Sequence, residues 1–342
     1  MQRVHAKKLF GLTVVLCATA AVPCTAQEGP LRQRIKERMQ ERLEKAPAPE
    51  ANAEIGAPLT KPGDYTFKLQ HDGLIRMYIV HVPEKYDPAV PTPLLLALHG
   101  GGADMARQAN DEYYGIVGTA DREGFVAVFA NGYSRFNSGK LATWNAGKCC
   151  GAARDQKVDD VGFLRQVVAN VSAQLNIDRQ RVYATGMSNG AMMSYRLACE
   201  ASDVFRAIAA VAGTDNTVDC KPAWPVAVLH IHAKNDSHVL FEGGAGPGNR
   251  SKEATTDYVS VPNTVARWAQ LNGCAGRPQR ILGKEGAYCE RYSGCRENAP
   301  VQLCVTETGD HSWPGGVKKQ QAEPTSQAIS ANEVMWEFFK RR

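Results

Sequence analysis

The sequence predicts an α/β fold, with one mainly parallel sheet covered by helices on both faces. Two observations carry that expectation. Short continuous apolar runs recur along the chain, several of them stopping at Gly or Asn, and amphipathic helical segments lie between them. Composition agrees: of 342 residues, 44% are hydrophobic and 22% charged, which fits a globular enzyme and excludes a disordered, collagen-like or multi-span membrane chain. Lys plus Arg number 40 against 35 Asp plus Glu, a surplus of +5 that is too small and dispersed for a nucleic-acid footprint.

At the N-terminus, Arg3, Lys7 and Lys8 precede an apolar stretch from Leu9 to Val22, and Cys24-Thr25-Ala26 puts small residues where a signal peptidase reads them. A signal peptide over 1–26 is expected. The stretch is shorter than the roughly 20 residues that cross a bilayer, so the expectation is an exported protein, extracellular or periplasmic, with no membrane anchor. Pro23 and Leu16 stand where a lipoprotein would need a small residue before Cys24 or Cys17. In 27–62, a charged helix is expected from Arg32 to Lys45, with Leu31, Ile35, Met39 and Leu43 spaced by four, and then a Pro/Ala-rich linker. A single catalytic domain is expected over 63–342.

Within that domain, Tyr65 to Leu69 and Ile75 to Val82 predict an opening antiparallel pair about the turn His71-Asp72-Gly73. Six further apolar runs predict core strands: Leu94 to Leu98, Phe125 to Ala130, Arg181 to Thr185, Ala207 to Ala212, Val226 to Ile231 and Gln302 to Thr306. Val161, Leu164, Val168, Val171 and Leu175 follow helical spacing behind Asp159-Asp160, a pair that suits the cap of a helix better than a catalytic dyad. Ile329 to Phe339 predicts a closing helix.

Eight cysteines lie beyond the signal: Cys149, Cys150, Cys199, Cys220, Cys274, Cys289, Cys295 and Cys304. An even count in an exported chain predicts disulfides, whose pairing the spacing leaves open. A zinc site is disfavoured because no pair has Cys-x2-Cys spacing.

Gly186-Met187-Ser188-Asn189-Gly190 ends an apolar strand and opens a helix, which is the context of the nucleophile elbow of α/β-hydrolases. Ser188 is the candidate nucleophile. A serine hydroxyl needs a base, and the base needs an orienting acid. In this fold they follow in the order serine, acid, histidine, and Asp236 and His311 each lie in a loop after a strand. The oxyanion hole is expected from the backbone N–H of Asn189 and of Gly101 or Gly102, in the run His99-Gly100-Gly101-Gly102. Trp144 and Trp313, together with His99, are candidates for the substrate side, where the tryptophans form either an aromatic wall or merely partly buried packing. His230 and His232 share one strand face and are expected to be structural. His238 lies too close to Asp236 in sequence to be its partner across the site, and Asp310 beside His311 suits the acid role poorly. Read as metal ligands, His230, His232, Asp236 and His238 match no zinc spacing.

These residues carry a resemblance. From about Tyr65 to Phe339 the chain resembles the secreted esterase family that groups polyhydroxybutyrate depolymerases with feruloyl and acetylxylan esterases. The resemblance rests on His99 to Gly102, Trp144-Asn145-Ala146-Gly147 with Cys149-Cys150-Gly151, Val158 to Phe163, Gly186 to Met193 and His311 to Gly316. It implies an α/β-hydrolase with Ser188, Asp236 and His311 as triad, no metal or organic cofactor, and bridges that pair Cys274 with Cys304 and Cys289 with Cys295. The family usually reads His-Gly-Thr-Ala-Asp at the acid, where this chain has His232-Ala233-Lys234-Asn235-Asp236, and Thr308-Gly309-Asp310 replaces the usual glycine run before the histidine. The expected function is hydrolysis of hydroxyalkanoate oligoesters, with feruloyl or acetyl esters of plant polysaccharide as the alternative. Metallohydrolase and silent binding-module readings are remote. The expected partner is a small or oligomeric ester, with a polymer surface as a further candidate; no room for a separate polymer-binding domain is expected after the last helix.

Overall fold

The computed structural model describes residues 30–249, 257–317 and 324–342; the expected signal peptide lies outside them. The chain forms two compact units, up to Arg42 and from Leu43 on. The first described element is α1 (Pro30–Lys45), on which Ile35 and Met39 are exposed.

In the second unit the elements run β1 (Gly63–His71), β2 (Leu74–Val82), β3 (Thr92–Leu98), α2 (Met105–Gln108), α3 (Ile116–Glu123), β4 (Val126–Ala130), α4 (Gly151–Asp155), α5 (Asp160–Gln174), β5 (Ile177–Met187) and α6 (Asn189–Glu200). They continue with β6 (Ala207–Val211), β7 (Ala227–Ala233), α7 (Val261–Leu271), β8 (Ala275–Lys284), β9 (Ala287–Ser293), β10 (Val301–Thr306) and α8 (Ala331–Phe339). The strands make one sheet in the order β1-β2-β4-β3-β5-β6-β7-β10-β9-β8. Its centre, from β4 to β10, is parallel and both margins are antiparallel. Every residue of β3, β4, β6 and β7 is buried, as strands covered on both faces must be. Two apolar layers do the covering: one centres on α5, α6 and Trp268, the other on α3 and α8 with Phe125, Trp336 and Phe339.

The expected strands all form, and three differences have physical reasons. The stretch 46–62 is not a free linker: Leu59 is buried in the core and donates its N–H to Gln174 O, while the Asn52 side chain accepts the Thr66 N–H. The hairpin β8–β9 has no apolar run, because β8 lies at the sheet margin with most residues exposed. Of the pair expected to cap α5, Asp159 accepts the Gly162 N–H, but Asp160 is buried, pairs with Arg76 at 2.7 Å and accepts the Asn145 N–H.

The cysteines pair as Cys149–Cys150, Cys199–Cys220, Cys274–Cys295 and Cys289–Cys304. This corrects the pairing implied by resemblance, Cys274 with Cys304 and Cys289 with Cys295. The reason is strand register: Cys304 on β10 lies directly opposite Cys289 on β9. Cys274 and Cys295 flank the β8–β9 end where Ala275 faces Ser293.

Candidate active site

Four parallel strands bring the chemistry to one sheet edge, because their C-terminal ends point the same way. β3 leads to His99-Gly100-Gly101, β5 to Ser188, β7 to Asp236 and β10 to His311. β3 and β5 are neighbours at the point where chain order reverses, the usual place for a crevice in an open α/β sheet.

Ser188 turns the chain from β5 into α6 with φ 56° and ψ −120°, a strained conformation for a non-glycine residue. Glycine surrounds it for want of space. A Cβ on Gly186 would collide with Gly190, one on Gly190 with the backbone of Leu98 and His99, and one on Gly213 with Ser188 itself. The main chain is therefore held in a tight elbow that lifts Ser188 into a cavity of about 180 Å³. His311 lines the same cavity, with Gly100, Gly101, Trp313, Tyr113 and Tyr114 among its other walls.

His311 Nδ1 bonds to Asp236 Oδ2 at 2.8 Å. Since a carboxylate only accepts, Nδ1 carries the proton and Nε2 is the basic nitrogen. Asp236 Oδ1 accepts from the N–H groups of His238 and Val239 at 2.8 and 2.9 Å. Burial pushes the Asp236 carboxyl upward, but the charge of His311 and hydrogen bonds from His232 and His311 outweigh it and hold the group far below the usual carboxylate range. The acid stays ionised. Asp310 does not compete for the role, since its carboxylate accepts the Ser237 N–H.

Among the oxyanion candidates, Asn189 begins α6, and a Cβ on Gly101 would sit 3.5 Å from the Asn189 Cβ, so these two backbones face each other. The Gly102 N–H is engaged with Ala142 O at 2.8 Å, which removes Gly102 as a donor. Two substrate-side expectations are also corrected. Trp144 is fully buried, with its indole N–H on His99 O at 3.0 Å, and Asn189 clamps its backbone from both sides through Oδ1 and Nδ2. His99 is buried too: Nδ1 donates to Gly100 O and Nε2 accepts the Gly132 N–H. Both residues build the floor under the loop. Trp313 does line the cavity, edge-on to Tyr114 at 5.5 Å. The lining residues Arg107, Tyr113, Tyr114, Val317 and Thr325 belong to no motif, and their sequence offers no signal beyond following β3 or His311.

His238 packs on His311 with ring centroids 4.6 Å apart. Ligand atoms of Asp236, His238 and His311 lie within 4.8 Å of one another. A cation there would have to displace the His311–Asp236 hydrogen bond, so the set reads as a hydrogen-bonded pair with a stacked neighbour. The sequence cluster of His230, His232, Asp236 and His238 does not form a ligand set; His230 and His232 bond to each other at 3.0 Å.

Strand order, elbow and the converging loops define an α/β-hydrolase. The family described as esterase PHB depolymerase matches residues 78–240. Feruloyl esterase B of Piromyces equi is 30% identical over 249 residues, covering 70% of this chain and 43% of its own. Feruloyl esterase C of Emericella nidulans is 28% identical over 277 residues, 77% of this chain and 83% of its own. The acetyl xylan esterase from Aspergillus awamori shares the fold, with a TM-score of 0.54 at 12% identity over 81% of this chain and 99% of that one. The chain is thus similar to the esterase family of polyhydroxybutyrate depolymerases over residues 78–240 and to feruloyl esterases over most of its length. It spans less than half the length of the Piromyces enzyme.

Proposed function

We propose that the chain is an exported serine esterase that cleaves hydroxyalkanoate oligoesters through an acyl-enzyme. The observation that carries this reading is the 2.8 Å bond from His311 to a buried, ionised Asp236, beside a cavity that His311 shares with Ser188. His311 Nε2 takes the proton as Ser188 Oγ attacks the ester carbonyl. The N–H groups of Asn189 and Gly101 stabilise the oxyanion at the positive end of α6. His311 then protonates the leaving alcohol, and water releases the acid by the same steps. No step calls on a metal or organic cofactor. Four cysteine pairs support export, and among the described residues no helix is long and apolar enough to cross a membrane.

A second reading, feruloyl or acetyl esters of plant polysaccharide, is favoured by the names of the relatives and by the aromatic cavity wall of Tyr113, Tyr114 and Trp313. One preparation assayed for release of 3-hydroxybutyrate from its oligomers and of ferulate from methyl ferulate separates the two. Higher kcat/KM on the oligomers is expected; the reverse order overturns the primary reading. Failure of a fluorophosphonate to label Ser188 would overturn both.

A further inference from the structure

His230 and His232 lie on one face of β7, fully buried, with ring planes within 6° of each other, as an in-plane N–H···N bond requires. Their proton positions follow from their partners. His232 Nε2 is 2.8 Å from Val239 O, which can only accept, so Nε2 bears the hydrogen. In a neutral imidazole His232 Nδ1 is then an acceptor, and His230 Nε2 at 3.0 Å must be its donor. That leaves His230 Nδ1 to accept the Tyr195 hydroxyl at 2.7 Å. Burial, and then the neighbouring His232, push the His230 pKa well below its ordinary value, and burial pushes the Tyr195 hydroxyl up. Both groups remain neutral.

The far end of this chain meets the acid. His232 Nε2 is also 3.3 Å from Asp236 Oδ2, the oxygen bonded to His311, and Val239, whose carbonyl it holds, donates its own N–H to Asp236 Oδ1. His232 thus fixes the turn that presents the acid and touches the acid itself.

We propose that Tyr195, His230 and His232 form a one-way hydrogen-bonded relay in which His232, locked in the Nε2–H form, is a positioning residue for Asp236. The relay rests on the esterase reading for its purpose but not for its proton arrangement, so the two can fail separately. The arrangement reverses only if His232 carries a second proton, because Nδ1 would then donate to His230 and His230 to the tyrosine oxygen.

The test has two arms. In the wild-type protein with ¹⁵N-labelled histidine, NMR should show His230 and His232 as neutral Nε2–H imidazoles near neutral pH, assigned with His232→Gln; a doubly protonated His232 or an Nδ1–H form of either ring overturns the relay. In kinetics on p-nitrophenyl butyrate, His232→Phe should lower kcat about tenfold or more with KM held within about twofold. His232→Gln, which keeps an N–H near the Nε2 position, should recover most of that loss, and Tyr195→Phe should lower kcat about threefold. A folded His232→Phe with wild-type kcat, or a Gln variant no better than Phe, overturns the positioning role. If the Phe variant does not fold, the Gln and Tyr195→Phe variants and the NMR arm still decide. Wild-type protein unlabelled by a fluorophosphonate would sink the esterase reading while the NMR arm still judged the relay.

Discussion

The elbow at Ser188 and the loop at Asp236 serve one sheet edge but are built by different forces. The elbow is a matter of volume. Gly186, Gly190 and, beside them, Gly213 leave no space for a Cβ, and main-chain sterics there force the serine outward. The acid loop is a matter of hydrogen bonds over distance. Asp236 and His311 are 75 residues apart in sequence, and the carboxylate is held by two backbone N–H groups and two imidazoles. The comparison teaches that changes of size should break the elbow, while changes of charge at constant size should break the acid side.

The largest expected effect is on the acid side. Asp236→Asn keeps the shape but offers an amide where a carboxylate must accept, and kcat should fall by about 10⁴-fold, as the wrong tautomer does in serine–histidine–aspartate triads generally. Thermal unfolding should show a folded protein; a loss under about tenfold would mean another group orients His311. Next comes the elbow. Gly190→Ala would set a Cβ against the carbonyls of Leu98 and His99, and unfolding by urea should reveal a loss of more than about 3 kcal/mol. An alanine variant of wild-type stability would show that the turn is not limited by volume.

A third prediction concerns His99, the neutral imidazole beneath the glycine loop. Burial lowers its pKa from 6.5 to about 4. The unfolded chain therefore binds a proton that the folded one refuses, so stability is fully present above pH 6.5 and falls as pH drops toward 4. The expected loss is up to about 3 kcal/mol. His230, depressed in the same direction, adds to the same window. Asp236, depressed as a carboxylate, stabilises the fold fully above about pH 4 and loses that stability only as pH falls below it, where the unfolded carboxyl protonates, so it adds no slope to this window. Urea unfolding across pH 4 to 7 should show the slope, and His99→Gln should flatten its share; an unchanged slope contradicts the assignment. The smallest effect belongs to Trp144→Phe. Losing the indole bond to His99 O should cost about 1 kcal/mol with KM unchanged, and a marked rise in KM would return Trp144 to the substrate wall.

The same contrast explains what could be read before the structure. The elbow, the strand runs and the helix at Val161 are local patterns, and each lies in the sequence as a short word. α7 is just as local, marked by Ser260, Pro262 and the spacing of Val261, Thr264, Val265 and Trp268. β8 was not legible, because an exposed margin strand containing Pro278 and two glycines has no apolar alternation to show. The burial of Trp144 and the pairing of Cys289 with Cys304 depend on which distant segments face each other, and no spacing in the chain encodes that. His230 and His232 are legible in the sequence as structural residues sharing one strand face, but their burial, their mutual bond and their link to Asp236 need the loop folded back.

The most direct test of the account is the rate and site of fluorophosphonate labelling, followed by mass spectrometry, in the wild type and in Ser188→Ala and His311→Ala. The account predicts one adduct per chain, on Ser188, absent from the alanine variant at that position and slowed by orders of magnitude without His311. Equal labelling in the absence of His311, or an adduct on another residue, would contradict it.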